Sequence, residues 1–451
     1  MYDPLSVDDL VHDELRQRRE SGYEVSAIQA DLARESADDH GQLEAHYLEL
    51  ITTRRRTDWH YEEPGLLEEI IAAMPAGNRE RPEVVGRSGD ELADRILGGW
   101  QGRVAGCTLG KPVEDGDFWT PDRIRAYLKL ADAYPLRDYI PALDPMPKGF
   151  QLRDCWPETT RGHLRGAARD DDIDYSILNL WLLEQYGFGV TPRRVATAFL
   201  SFLPYLRVFT AERATMVNLL HNVPIAAIGE TRNPYREWTG ALIRADVYGW
   251  ALPARPGTAA RLVFQDASLS HRNNGIYAAM WAAALVSAAC VAGTVTEAVE
   301  RSLDYVPARS RLAEALGFVN ELNRTSHTWE QALERIRARF GHYGWVHSIN
   351  NACLITAGLL WGRGDFAATV GLTVQGGWDT DSNAATAGSV VGTVLGAARL
   401  PAHFIDPLHD CTRSAVFGYD NSRISDLARR TINLAEHGLR SDRGDNDSSA
   451  A

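Results

Sequence analysis

Cysteine is scarce and unpaired in this chain. The five residues, Cys107, Cys155, Cys290, Cys353 and Cys411, show none of the short spacings of zinc sites or disulfide frameworks, which argues against both and for a reducing, cytoplasmic compartment. Positive charge is also short. Lys and Arg number 47 against 60 Asp and Glu, and the net charge of -13 argues against a general nucleic-acid or anionic-membrane surface. The one dense basic run, Arg54-Arg55-Arg56, reads as a solvated helix end. Met1 to Glu20 is acidic and mixed, where a signal peptide needs a basic and then an apolar segment. Strongly apolar runs are missing too. Asn273 to Thr296 carries no charge, but alanine dominates it, which predicts a buried core helix and no membrane span.

Strand-like alternation is absent as well, and 3.6-residue periodicity prevails, so the predicted fold is all-α and multi-helical. Residues 1–88 differ in texture from the rest. Charged amphipathic stretches at Val7–Arg19, Val25–Glu35, Leu43–Thr52 and Leu66–Met74 predict a helical extension whose role the sequence leaves open. Pro75 to Gly89 has the Pro, Gly and charge of a linker. A helical core is expected over 89–440, followed by a polar, disordered tail over 441–451. Within the core, Tyr134 to Arg165 holds five prolines, Pro135, Pro141, Pro145, Pro147 and Pro157, and reads as a long loop. It could cover a ligand with Phe150 or Trp156, or be a surface insertion with buried aromatics.

Chemistry concentrates at two acidic helix starts. The first is Asp170-Asp171-Asp172-Ile173-Asp174, opening an apolar stretch. The second is Gly376-Gly377-Trp378-Asp379-Thr380-Asp381-Ser382-Asn383. Ionised carboxylates about 5 Å apart repel by roughly 3 kcal/mol per pair at an effective dielectric near 20. Bound divalent cations would neutralise such clusters, although Asp379 or Asp381 would equally serve as a helix cap. A second pattern links the two ends of the core. Gly98, Gly102, Gly106 and Gly110 recur every four residues, as do Ala384, Gly388, Gly392 and Gly396. Glycine costs about 1 kcal/mol inside a helix, so the stripes predict close helix packing. If the two helices run antiparallel, Glu114 lies beside Asp379 and Asp381.

In order along the chain, Gly106-Cys-Thr-Leu-Gly-Lys-Pro-Val-Glu114, the Asp170–Asp172 triplet and Gly376–Ser382 resemble three motifs of the ADP-ribosylglycohydrolase family, of the dinitrogenase reductase-activating glycohydrolase type. Gly240-Ala-Leu-Ile-Arg244 and the pair Ser270-His271 match it more loosely. The resemblance implies an all-helical fold with two magnesium ions, for which manganese could substitute, and hydrolysis of the bond joining ADP-ribose to its acceptor. Carried over by residue, the metal ligands are Asp170, Asp171, Asp172, Asp379, Asp381 and Ser382. Glu114, Asp381 and Asp171 are the catalytic candidates, with Glu114 or Asp381 as general base. Arg236, Arg244, His271 and Trp378 are the substrate-binding candidates, although either arginine could equally pair with Glu237 or Asp246, and His271 and His347 could be buried structural histidines. Asp170 and Ser382 stand where the family has threonine, Ile173 replaces another, and Trp378 is an insertion. Magnesium is expected over zinc because no thiolate or imidazole cluster accompanies the carboxylates in the sequence.

The implied substrate is an ADP-ribosylated protein or a small ADP-ribosyl or ribosyl nucleotide, with no nucleic-acid or membrane partner. Two other classes use the same residues: a two-metal phosphohydrolase, and an ADP-ribose binder or structural protein without activity.

Overall fold

In the computed structural model, residues 6–34, 40–75, 89–325 and 327–447 are described. Among the described residues helices account for nearly all the regular structure, and one two-stranded ladder pairs Cys411–Thr412 with Ser422–Arg423. Among the described residues no helix is long and apolar enough to cross a membrane. The linker expected at Pro75 to Gly89 falls mostly outside the described residues.

Helix α1 (Val7–Glu20) belongs to the N-terminal extension, where shorter helices follow at Ser26–Leu32, His40–Leu50 and Leu67–Ala72. The core contains α2 (Gly89–Gly110), α3 (Asp171–Tyr186), α4 (Asn274–Ala289), α5 (Ser348–Gly362), α6 (Thr380–Leu395) and α7 (Ile424–Asp447). Helix α4, the uncharged alanine-rich segment, is buried along its whole length. Helix α7 runs to Asp447, so the segment read as a tail from residue 441 begins as a continuation of that helix. Tyr134 to Arg165 forms a long irregular segment with a single helical turn at Trp156–Thr159.

The two small-residue stripes face each other and the helices run antiparallel. A Cβ on Gly102 would sit 2.2 Å from the Gly388 carbonyl oxygen, one on Gly106 2.0 Å from that of Ala384, and one on Gly110 2.3 Å from that of Thr380. Backbone contact along α2 and α6 therefore leaves no room for side chains, and the helices are held in one register. Gly102→Val is expected to lose about 3 kcal/mol or more through overpacking. Urea unfolding measures it, and a variant as stable as the parent would show that the helices can separate.

The extension is tied to the core by buried charge. Its first three helices form a separate small apolar cluster with Leu10, Val11, Leu15 and Tyr47, whereas Ile70 and Met74 at its end join the main core. On the core-facing side of α1, Glu14 accepts two hydrogen bonds from Arg236 at 2.7 and 2.8 Å, while Gln17 and Ser21 donate to Glu237. Arg311 bridges Glu237 to Glu63, closing the network. Of the basic run, Arg55 lies against Glu63 at 3.6 Å and Arg56 against Asp58.

Candidate cation and catalytic site

Antiparallel packing of α2 on α6 sets the end of one helix beside the start of the other. Thr380 donates its hydroxyl to the Gly110 carbonyl at 2.9 Å, and the short turn Lys111–Val113 then delivers Glu114. Helix α3 supplies the remaining acids. Two groups of candidate ligand atoms result, each with all its atoms within 4.8 Å of one another: Glu114, Asp379 and Asp381, and Cys107, Asp170, Asp172 and Asp381. Asp381 is common to both. Ser382 joins them by donating to Asp172 at 3.0 Å.

The carboxylates are held in different ways. Asp170 caps α3, with Oδ1 accepting the Asp172 N–H at 2.9 Å, and Oδ2 accepts from the Lys111 ammonium. Asp172 meets Arg103 through Oδ1 at 3.3 Å and Ser382 through Oδ2. Asp379 Oδ2 accepts from Thr239 at 2.9 Å, and Asp381 Oδ1 accepts the Ser382 N–H at 3.0 Å. The Glu114 carboxylate lies 3.3 Å from Arg153, which comes from the proline-rich segment. Asp171 begins α3 half-buried, and Asp174 turns away to Arg169 and Ser414.

Crowding of like charge in a buried place sets the proton affinities. Burial, then Asp381, holds Glu114 well above the usual carboxylate range. Burial and the neighbouring acids do the same for Asp172 and Asp379, and raise Asp381. Asp170 moves the other way: burial would raise it, but Lys111 and Arg169 outweigh that and bring it down to about 2. Asp171 is pushed up to about 8, by burial first and then by Asp170.

That shift has a definite sign. With a folded value of about 8 against an ordinary 3.8, the folded chain keeps a proton that the unfolded chain loses over this range. Stability from Asp171 is complete below about pH 4 and is lost as pH rises through about 8. The acids that would hold a cation, Glu114, Asp379 and Asp381, are raised too and must be ionised to bind it, so cation affinity is expected to rise with pH. Calorimetric titration with Mn2+ at about pH 6, 7 and 8 checks the direction, which a flat or falling affinity would contradict.

Other predicted site residues lie elsewhere. Arg244 is fully buried, and its guanidinium is committed to Glu212, Asp266 and Ser270. Arg236 is committed to Glu14. Both arginines hold carboxylates, and these are not the alternative partners Glu237 and Asp246. His271 is buried beside Ser270 and held well below its ordinary value by burial and then Arg244. His347 caps α5, accepting the Ile349 N–H. Trp378 adopts a left-handed backbone (φ 58°), and its ring is buried with Arg337 stacked over it at 4.7 Å. Phe150 packs against Trp119 and Tyr127, while Trp156 stays partly exposed beside His163.

Sequence reasoning missed Arg103, Cys107, Lys111, Thr239 and Asn351. Arg103 is buried and donates to Asp246 at 2.7 Å as well as to Asp172. Asn351 accepts the Asp379 N–H and an N–H of Asn383. Cys107 brings a sulfur among the acids, although burial and then Asp170 hold its thiol well above the usual range, so it adds no thiolate. Its neighbourhood could have been read from the glycine stripe itself, since Cys107 follows Gly106 on the helix that meets the acids.

The sequence matches the ADP-ribosylglycohydrolase family over residues 88–441. The chain belongs to this family. The match covers the helices that carry every acidic group of the site, and leaves residues 1–87 outside it. Among solved structures, an ADP-ribosylglycohydrolase-related protein complex aligns over 77% of this chain and 99% of its own, with 18% identity and a TM-score of 0.44. No curated protein matches the sequence. As a member of a glycohydrolase family, the chain has a hydrolase's setting: a buried acidic cluster that could bind metal.

Proposed function

We propose that this ADP-ribosylglycohydrolase-family chain is a divalent-cation-dependent hydrolase, cleaving the glycosidic bond between ADP-ribose, or a related ribosyl nucleotide, and its acceptor. The observation that carries the reading is the meeting of Glu114, Asp379 and Asp381 with the start of α3. Their donor set suits a hard cation at Glu114, Asp379 and Asp381, where only oxygens converge. Magnesium is the cation proposed, with manganese able to replace it.

Bound there, the cation supplies charge neutralisation and a seat for ribose hydroxyls. Protein groups do the rest. Glu114, with its proton affinity raised by burial and Asp381, would be ionised with a cation bound and is then suited to take a proton from an attacking water. Asp171 and Asp381, also raised in the cation-free chain, would be ionised in the same way and then place negative charge where an oxocarbenium-like sugar carbon gains from it. Thr239 and Ser382 fix the carboxylates they bond, so those oxygens are oriented before substrate arrives.

The test incubates the protein and Mg2+ with ADP-ribosyl-arginine peptide, ADP-ribosyl-serine peptide and NAD, and resolves products by mass. Release of ADP-ribose from any of them is the expected result and would name the acceptor class. AMP or phosphate would move the protein to the phosphohydrolases, and unchanged substrate with tight binding to non-catalytic binders.

A further inference from the structure

The two candidate cation positions that share Asp381 are unlike. At the first, Glu114, Asp379 and Asp381 contribute oxygens only; Arg153 meets Glu114, Thr239 and the Ser382 side chain meet Asp379, and the Ser382 N–H and Asp379 meet Asp381. The Lys111 ammonium bonds none of these three but Asp170. At the second position both oxygens of Asp170 are engaged, one by the Asp172 N–H and one by Lys111. Both oxygens of Asp172 are engaged too, by Arg103 and Ser382. The fourth member is the sulfur of Cys107, a poor partner for magnesium.

Lys111 is placed there by the backbone. Gly110, immediately before it, touches the Thr380 carbonyl so closely that no Cβ would fit, and the Thr380 hydroxyl locks the Gly110 carbonyl. The ammonium that extends from this fixed point is a compact unit charge with three donors and no acceptor. It occupies the side of Asp170 that a metal would need, and its side chain is largely buried.

We propose that this chain carries one divalent cation, at Glu114, Asp379 and Asp381, and that the Lys111 ammonium takes the second cation position, beside Asp170, Asp172 and Cys107. The inference rests on the glycohydrolase reading only for where a cation sits. It replaces the family resemblance's pair of metals with a metal and a fixed organic cation, which would position Asp170 and balance its charge without coordinating substrate.

Equilibrium dialysis of the full chain against Mn2+, with electron paramagnetic resonance of the loaded protein, reads this without substrate. The wild type is expected to hold one Mn2+ per chain with the spectrum of an isolated ion. Lys111→Met, or the double variant Lys111→Met/Cys107→Asp if the single one folds poorly, is expected to take up a second ion and show exchange coupling. Two coupled ions in the wild type, or none, overturn the proposal, as does a folded double variant that still binds one. The two readings fail separately. One ion with no ADP-ribose released from the substrate panel removes the glycohydrolase reading and leaves this one, whereas two ions with turnover does the reverse.

Discussion

Asp381→Asn is expected to lower ADP-ribose release and to weaken Mn2+ binding, each by roughly a hundredfold or more, at least the loss found when a group supporting a metal's ligands is removed. Asp381 is the one residue common to both groups of candidate ligand atoms, so its charge cannot be replaced by a neighbour. Fold loss would not explain the result. In the cation-free chain Asp381 is raised by burial and then by Asp170, so its charge is a cost to the folded state. Replacing it with neutral asparagine removes like-charge repulsion of roughly 3 kcal/mol per close pair at most. In chelator, therefore, the thermal midpoint of the variant should equal or exceed that of the wild type, with unchanged circular dichroism. A variant that keeps wild-type Mn2+ affinity would remove Asp381 from the site.

Arg103→Met should produce the largest loss of stability, about 3–5 kcal/mol, the range found when one partner of a buried ion pair is removed. Arg103 and Asp246 are both fully buried, with the guanidinium 2.7 Å from the carboxylate. Arg103 also donates to the carbonyls of Asp172 and Ile243. Its removal takes a donor from the Ile243 carbonyl and from the Asp246 carboxylate in a medium that cannot hydrate them, while the Asp172 carbonyl keeps the Ser176 hydroxyl. Burial already raises Asp246, with Arg103 opposing it, so the carboxyl of the variant should take up a proton. Adding Asp246→Asn to Arg103→Met should recover part of the stability, and the double-mutant cycle isolates the pair. Additive effects in denaturant unfolding would show that the two side chains are not coupled.

How much of this could be read from the chain varies by residue and follows from range. The stripes Gly98–Gly110 and Ala384–Gly396 were legible because glycine at four-residue spacing in a helix has few reasons other than close contact, and the contact carries Glu114 to Asp381 by geometry alone. The N-terminal helices were legible from period, since the first three carry apolar residues that cluster together and the fourth turns Ile70 into the main core. The fates of Arg236 and Arg244 were not. An arginine near a substrate motif looks the same in sequence whether it meets a phosphate or a carboxylate, and its partners, Glu14 for the first and Glu212 and Asp266 for the second, come from other helices. Trp378 was misleading for a related reason: an inserted aromatic beside a ligand suggests stacking on substrate, but its left-handed backbone turns the ring under Arg337.

By itself the sequence determined the helical class, the family, the two acidic helix starts and the pairing of the glycine-striped helices, because periodicity and short motifs are local and survive without coordinates. Only the tertiary structure decided which acids share a cation position, that Lys111 and Cys107 stand among them, and that the N-terminal extension spends Glu14 on Arg236. Those facts depend on charges hundreds of residues apart being buried together. Burial, by removing water, turns the choice of partner into the dominant energy.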